Sequence, residues 1–269
     1  MSQRQDIEAK LALYDELNGI LGAMRSFALA ELKRIGRHET AQQQVMDTLA
    51  LAVQDLAAYL PAAAVSPLTA QNRLNDIWVV LGSARGFCGS FNEDVIRVWR
   101  QQAQPGNPTF LVGERLRGLL AGDDLIGIPG AESGLDASAA IDRILDAVAA
   151  LRLDDPAEFG LIVCVRDDRA ARCQRLWPLL SHAPASAGYP PLTLMPAAEV
   201  AVGAAEHYLY HSLLALLLCS IRVENHMRLL QMENALRPLD EGYEDLQRRR
   251  NRLRQEEIVQ EIELMARRH

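Results

Sequence analysis

The residues best placed to do chemistry lie between two apolar stretches, in Gly82-Ser83-Ala84-Arg85-Gly86-Phe87-Cys88-Gly89-Ser90. Three glycines between a strand and a helix can aim backbone N–H groups at a phosphate. The spacing here is G-x-x-x-G-x-x-G. A dinucleotide fingerprint requires G-x-G-x-x-G, and a phosphate-gripping P-loop ends in Gly-Lys-Ser/Thr. The segment therefore reads first as a tight turn that exploits glycine's freedom, with phosphate binding as the alternative. Cys88, near the start of the following helix, could carry a lowered pKa, but no histidine motif accompanies it. His207 and His211 have the four-residue spacing of a helical metal pair, without an evident third ligand. Asp123-Asp124 and Asp167-Asp168 are acidic pairs with no obvious base, nucleophile or metal partner, and read as solvated turns. No catalytic set, cofactor site or metal site emerges.

These residues sit in a middle section of alternating short elements. Ile77-Trp78-Val79-Val80-Leu81 reads as a buried strand, Phe91 to Gln104 as a helix and Thr109 to Val112 as a second strand. Leu125 to Ile128 is a third strand, closed by Pro129-Gly130. Ala137 to Leu151 is helical by pattern, and Phe159 to Val165 is the strongest strand. Strands alternating with helices predict a mainly parallel sheet covered by helices, a Rossmann-like α/β domain over residues 70–196. Pro61 to Pro67 breaks the chain before it, and Pro184 to Pro196 forms a loop after it.

Flanking the middle are two long helical stretches. From Ile7, steps of four and three reach Leu11, Tyr14, Asn18, Leu21, Arg25, Ala28, Leu32 and Ile35, the spacing of a coiled-coil seam. Leu17, Ile20, Leu21 and Met24 are expected to widen this stripe. A helix over residues 3–58 would be roughly 80 Å long at 1.5 Å per residue. At the other end Leu236, Leu239, Tyr243, Leu246, Arg250 and Leu253 repeat the pattern. Ile258, Ile262 and Met265 resume it after a skip of five, a stutter-like shift. His207 to Met232 is leucine-rich and helical. Pro238 predicts a bend or an interruption. The fold expected is α/β with long terminal helices: residues 1–60 and 200–269 pair as an antiparallel coiled coil, and the α/β domain lies between them in sequence.

Composition narrows the function classes. The chain has 269 residues, ample for a core, and a formal net charge of −7 that argues against generic nucleic-acid binding. Arg248, Arg249, Arg250, Arg252 and Arg254 make a local basic block, followed by Glu256, Glu257, Glu261 and Glu263. Lys10 and Lys33 are the only lysines. Cys88, Cys164, Cys173 and Cys219 show neither C-x-x-C spacing nor the density of a disulfide framework, so a reduced cytosolic protein is expected. No signal peptide is evident. The longest apolar run, Leu213 to Cys219, is far short of the ~20 residues that span a bilayer.

Three segments together resemble the gamma subunit of F-type ATP synthases. The first is Ile7-x-x-Lys10-Leu11 through Ile20-x-x-Ala23-Met24 to Ala28. The second is Gly82-Ser83-x-Arg85-Gly86-x-Cys88-Gly89-x-x-Asn92, similar to the family's S-D-R-G-L-C-G-G-x-N. The third is Asn251-x-x-Arg254-Gln255-x-x-Ile258-x-x-Glu261, preceded by Glu224, Arg228, Met232 and Ala235. The segments stand in the family's order and cover the whole chain. Asn92-Glu93, Ile128-Pro129-Gly130 and Arg254-Gln255-Glu256-Glu257-Ile258 also resemble the alternate N-type F-ATPase branch, whose members are thought to pump ions, sometimes sodium, by hydrolysing ATP.

The resemblance implies a central rotor shaft, whose coiled coil enters a ring of alternating alpha and beta subunits. Its middle domain would lie near the epsilon subunit and the membrane c-ring. Such a shaft has no catalytic site or cofactor of its own, and sits on the cytoplasmic face of a bacterial inner membrane as a peripheral part of the F1 sector. By position, Met24 would lie in the segment that faces the beta catch region and the C-terminal helix, Arg254 and Gln255 would meet beta loops, and Glu261 would be sensitive to coupling. Arg85, Gly86, Cys88, Gly89 and Asn92 would form a mainly structural motif of the body. The sequence departs from the family at Ala84 (usually Asp), at Val259 (usually Thr), at Pro238, and in its tail, Met265-Ala266-Arg267-Arg268-His269. On the residues alone, a stand-alone nucleotide-binding α/β enzyme and an unrelated coiled-coil adaptor remain alternatives.

Overall fold

The computed structural model describes residues 3–60, 75–120, 122, 125–151, 159–180 and 189–267. The Pro61–Pro67 break, Asp123-Asp124 and residues 184–188 of the expected loop lie outside these. The elements in order are α1 (Gln3–Ala57), β1 (Asn75–Leu81), α2 (Phe91–Gln102), β2 (Thr109–Val112), α3 (Glu114–Arg117), β3 (Leu125–Ile128), α4 (Ala137–Ala149), β4 (Phe159–Arg166), β5 (Ala171–Trp177) and α5 (Ala197–Ala266), with a 3-10 turn at Gly134–Asp136 before α4. The chain divides into two compact units. One joins the residues up to Ala30 with those from Arg228 onward; the other is Glu31–Met227.

In the first unit, α1 and α5 run antiparallel. Arg4 pairs with Glu257 at 3.0 Å, Asn18 with Asp240 at 3.0 Å and Arg25 with Glu233 at 3.5 Å, so numbers rise on one helix as they fall on the other. The 3.5-residue repeat holds this register. Ile7, Leu11, Tyr14, Asn18, Leu21 and Ala28 are buried or half-buried, whereas Arg25 in the same series is exposed. Half-buried Met24 takes the inward place there. Leu17 and Ile20 do not widen the seam; they are 36% and 50% exposed. One partner helix covers only a narrow a/d stripe, and those two positions lie beyond it. On α5, Leu236, Leu239, Tyr243, Leu246, Arg250 and Leu253 are all half-buried. Tyr14 lies over Gly242, where a β-carbon would come within 2.8 Å of its ring.

The interruption expected at Pro238 is absent: α5 is helical from Ala197 to Ala266 with the proline inside it. Proline removes one backbone hydrogen bond, but Pro238 faces solvent while Leu236 and Leu239 on either side sit in the seam. Packing on both sides holds the helix through the missing bond.

The second unit is built on a sheet of order β3-β2-β1-β4-β5. The first four strands are parallel, and β5 is antiparallel to β4. Alternation along β1 splits the core into two layers. Ile77, Val79 and Leu81 point toward Ala140, Ile141 and Ile144 of α4 and Leu213, Leu217 and Ile221 of α5. Trp78 and Val80 point toward Val95 and Ile96 of α2 and toward Leu116. Strand β5 was not expected from sequence. Its residues, Ala-Arg-Cys-Gln-Arg-Leu-Trp, interleave arginine and glutamine with apolar side chains and are mostly half-exposed, as suits an edge.

That edge also holds a cysteine pairing that the spacing in sequence did not signal. Cys164 and Cys173 form a disulfide, and their Cα atoms are 4.1 Å apart. They stand directly opposite each other in the β4–β5 register. Their separation of nine residues resembles no thiol motif; only the hairpin brings them together.

Candidate subunit-contact site

The glycine motif leads out of β1 into α2, and the amides of Gly82, Ser83 and Arg85 are already taken. The Gly82 N–H donates to the Val112 carbonyl at 2.8 Å. The Ser83 N–H donates to Asn92 Oδ1 at 2.9 Å, and Asn92 Nδ2 donates back to Ser83 Oγ at 2.8 Å, with both residues buried. The Arg85 N–H donates to Glu224 Oε1 at 3.4 Å, and its guanidinium donates to Glu132. Glu93 and Asp94 occupy the first turn of α2, placing negative charge where a phosphate would need the helix dipole. The segment is a turn held by its own Asn92 and by Glu132 and Glu224 from elsewhere in the chain. Gly89 has φ +60°, and so does the exposed Phe87, at +61°. A phenylalanine in that region is unusual, and no sequence signal marked it.

In a doubly wound sheet the ligand crevice opens where the strand order reverses, outside the carboxyl ends of the strands. Here that point lies between β1 and β4. Residues of α5 occupy it. Val223 packs with buried Cys88 and Phe91, and half-buried Cys219 and Met227 join them. Arg166 at the end of β4 donates to Met227 Sδ at 3.2 Å. Cys88 therefore packs in this cluster, its thiol directed at the Arg85 carbonyl at 3.9 Å. Burial pushes the Cys219 thiol up from its ordinary pKa, opposed by Arg222.

Asp167 and Asp168 form the β4–β5 turn. Asp167 Oδ1 accepts the N–H groups of Arg169 and Ala170, both at 2.9 Å, and Oδ2 accepts from Arg172 at 2.9 Å. The Ala170 N–H is the main cause holding this carboxyl below the usual carboxylate range, with Arg172 assisting. A depressed folded pKa adds stability that is present above the unfolded value of about 3.9 and is lost as pH falls through the folded one. Acidification below about pH 4 is expected to loosen β5 in the parent chain, and Asp167→Asn to weaken this pH dependence. NMR signals of the β5 amides followed through an acid titration would test this; identical titrations in both chains would refute it.

The histidine pair does not converge. His207 is exposed, whereas half-buried His211 meets Gln42 of α1, whose Nε2 lies 3.2 Å from Nδ1 and 3.1 Å from the His211 carbonyl. Among the described residues, no group of three His, Cys, Asp or Glu side chains is placed to hold a metal.

The residues expected to meet other subunits divide by position. Met24 is half-buried along the coiled coil. Arg254, Gln255 and Glu261 are exposed, and none makes a side-chain hydrogen bond or ion pair among the described residues. Beyond them Ile258, Val259, Ile262, Leu264 and Met265 are 46 to 64% exposed. Every described residue from Arg254 onward is exposed, and Arg4, near the described start of α1, meets Glu257.

Long antiparallel terminal helices, with a mainly parallel sheet between them in sequence whose switch-point crevice is filled by α5, define an α/β protein of the long-helix class. The chain belongs to the ATP synthase family, among the gamma subunits: the family model described as ATP synthase matches residues 3–264. The ATP synthase gamma chain of Flavobacterium psychrophilum is 29% identical over 104 residues, which are 38% of this chain and 36% of that relative. That match thus spans little more than a third of the relative's length. The Euglena gracilis mitochondrial ATP synthase rotor, solved by cryo-EM, superposes with a TM-score of 0.56 at 15% identity, covering 95% of this chain and 98% of the other. The Tetrahymena thermophila central stalk and c-ring structure gives 0.54 at 16% identity, covering 80% and 99%. At such identities these structures establish the shared fold. No described helix is long and apolar enough to cross a membrane.

Proposed function

We propose that this chain is the central rotor shaft of an F-type ATP synthase or ATPase, coupling ion translocation through a membrane c-ring to ATP synthesis or hydrolysis on beta subunits. Residues 1–60 and 200–269 act as the shaft, and residues 70–196 as the body that meets the epsilon subunit and the ring. ATP chemistry stays on the beta subunits, and this chain contributes no catalytic site. It works at the cytoplasmic face of a bacterial inner membrane, held there by its partners.

The observation that carries this reading is the bare end of α5. A helix that continues past the described part of α1 while keeping Ile258, Val259, Ile262, Leu264 and Met265 exposed presents apolar surface for another chain to cover. Arg254 and Gln255 stand at the start of this stretch as polar contacts, and a guanidinium fork suits carboxylates on a partner. A shaft of this kind acts by favouring different beta conformations at different angles, which is a coupling free energy and needs no bond chemistry. Co-expression with F-type alpha and beta subunits from the same source, followed by native mass spectrometry, tests it. The expected species holds three alpha, three beta and one copy of this chain; a chain that never joins such a hexamer overturns the reading.

A further inference from the structure

The stretch of α5 that fills the switch-point crevice is gripped from two directions. On the β1 side, the buried Glu224 carboxylate accepts the Arg85 N–H. On the β4 side, Arg222 makes a two-pronged pair with Asp168, at 2.9 and 2.7 Å. At 3.6 residues per turn, positions 222 and 224 lie about 200° apart around the helix, so the two grips act on nearly opposite faces. Apolar packing is non-directional and lets a helix turn within its groove. Charge-assisted and bidentate hydrogen bonds are directional and do not.

We propose that Arg222 and Glu224 key α5 against rotation in the body, making this stretch the seat through which torque passes between the α/β domain and the helix that continues from Arg228 to Ala266. This rests on the rotor reading above.

The test uses the assembled complex with alpha and beta subunits, with a bead fixed to the body and rotation driven by ATP. In Arg222→Ala/Glu224→Ala, torque at the bead is expected to fall about twofold or more, and by more than the two single variants together predict, while ATP hydrolysis is retained. Glu224→Gln, whose amide oxygen still accepts the Arg85 N–H, should restore most of the Glu224→Ala loss. Full torque in the double variant overturns the seat, as does a parallel fall of torque, hydrolysis and thermal stability. If the parent chain drives no rotation, the rotor reading fails by itself. Hydrogen exchange on the isolated chain then judges the grip: the double variant must speed exchange at residues 82–86 and 219–227 and leave the Leu236–Leu253 seam unchanged. Unchanged exchange at those residues also overturns it.

Discussion

Gly113→Ala is expected to cost the body at least about 3 kcal/mol, whereas Gly86→Ala, inside the glycine-rich motif itself, should shift stability by less than about 1 kcal/mol. Gly113 has φ +111°, outside the range open to side-chain-bearing residues, and a β-carbon there would stand 2.7 Å from the Ser83 carbonyl oxygen and 2.8 Å from that of Gly82. Both obstacles are backbone at the end of the central strand, and neither can give way as a side chain does. At Gly86 the nearest atoms belong to the flexible Arg115 guanidinium, 3.6 Å away, and φ is not positive. All three tryptophans, Trp78, Trp99 and Trp177, lie in the body. Urea unfolding followed by their fluorescence reads that unit directly. With a urea slope of about 2–3 kcal/mol per molar, the Gly113→Ala midpoint should drop by about 1 M or more. Similar midpoints for the two variants would show that the turn tolerates side chains equally at both positions.

This contrast shows what the sequence could and could not convey. Strands β1, β2, β3 and β4 were readable because strands buried in a parallel sheet appear as continuous apolar runs. The terminal seam was readable because its period is a local property. Strand β5 was not, since arginine and glutamine on an edge strand's wet face break any continuous apolar run, and the Cys164–Cys173 bridge was lost along with it. The importance of Gly113 was equally hidden. A lone glycine after a strand resembles many others, and its constraint comes from Gly82 and Ser83, some thirty residues earlier in the chain. Resemblance drew attention to Gly86 and Gly89, of which only Gly89 has a positive φ.

The motif at Gly82–Asn92 illustrates how one pattern can serve two ends. Read locally, a glycine turn between a strand and a helix suggests phosphate. In the folded chain its N–H groups find acceptors on Asn92 and Glu224. The second partner lies 139 residues away and belongs to what the sequence presents as a separate terminal helix. No periodicity argument reaches across that distance. The residues that resemble the gamma family near the C-terminus, Glu224 among them, were legible as a pattern, while their role as partners of the turn became visible only when the sheet and α5 were placed together.

The largest effect on assembly should come from the end of α5. Ile262→Asp together with Met265→Asp is expected to leave the isolated chain within about 0.5 kcal/mol per site of its parent, because both side chains are already mostly exposed. If partner subunits cover this end, each substitution forfeits about 1 kcal/mol or more of apolar burial and must desolvate a carboxylate besides. A combined loss of about 3 kcal/mol weakens association more than a hundredfold. Competition of parent and variant chains for limiting alpha and beta subunits, read by native mass spectrometry, measures that ratio. Arg254→Ala/Gln255→Ala probes the polar contacts proposed beside it, where coupling or torque should fall further than thermal stability. If the aspartate variant competes as well as the parent, the bare apolar end is not a contact surface. If it instead melts many degrees lower in isolation, those side chains are packed within the chain, and the argument that they await a partner fails with them.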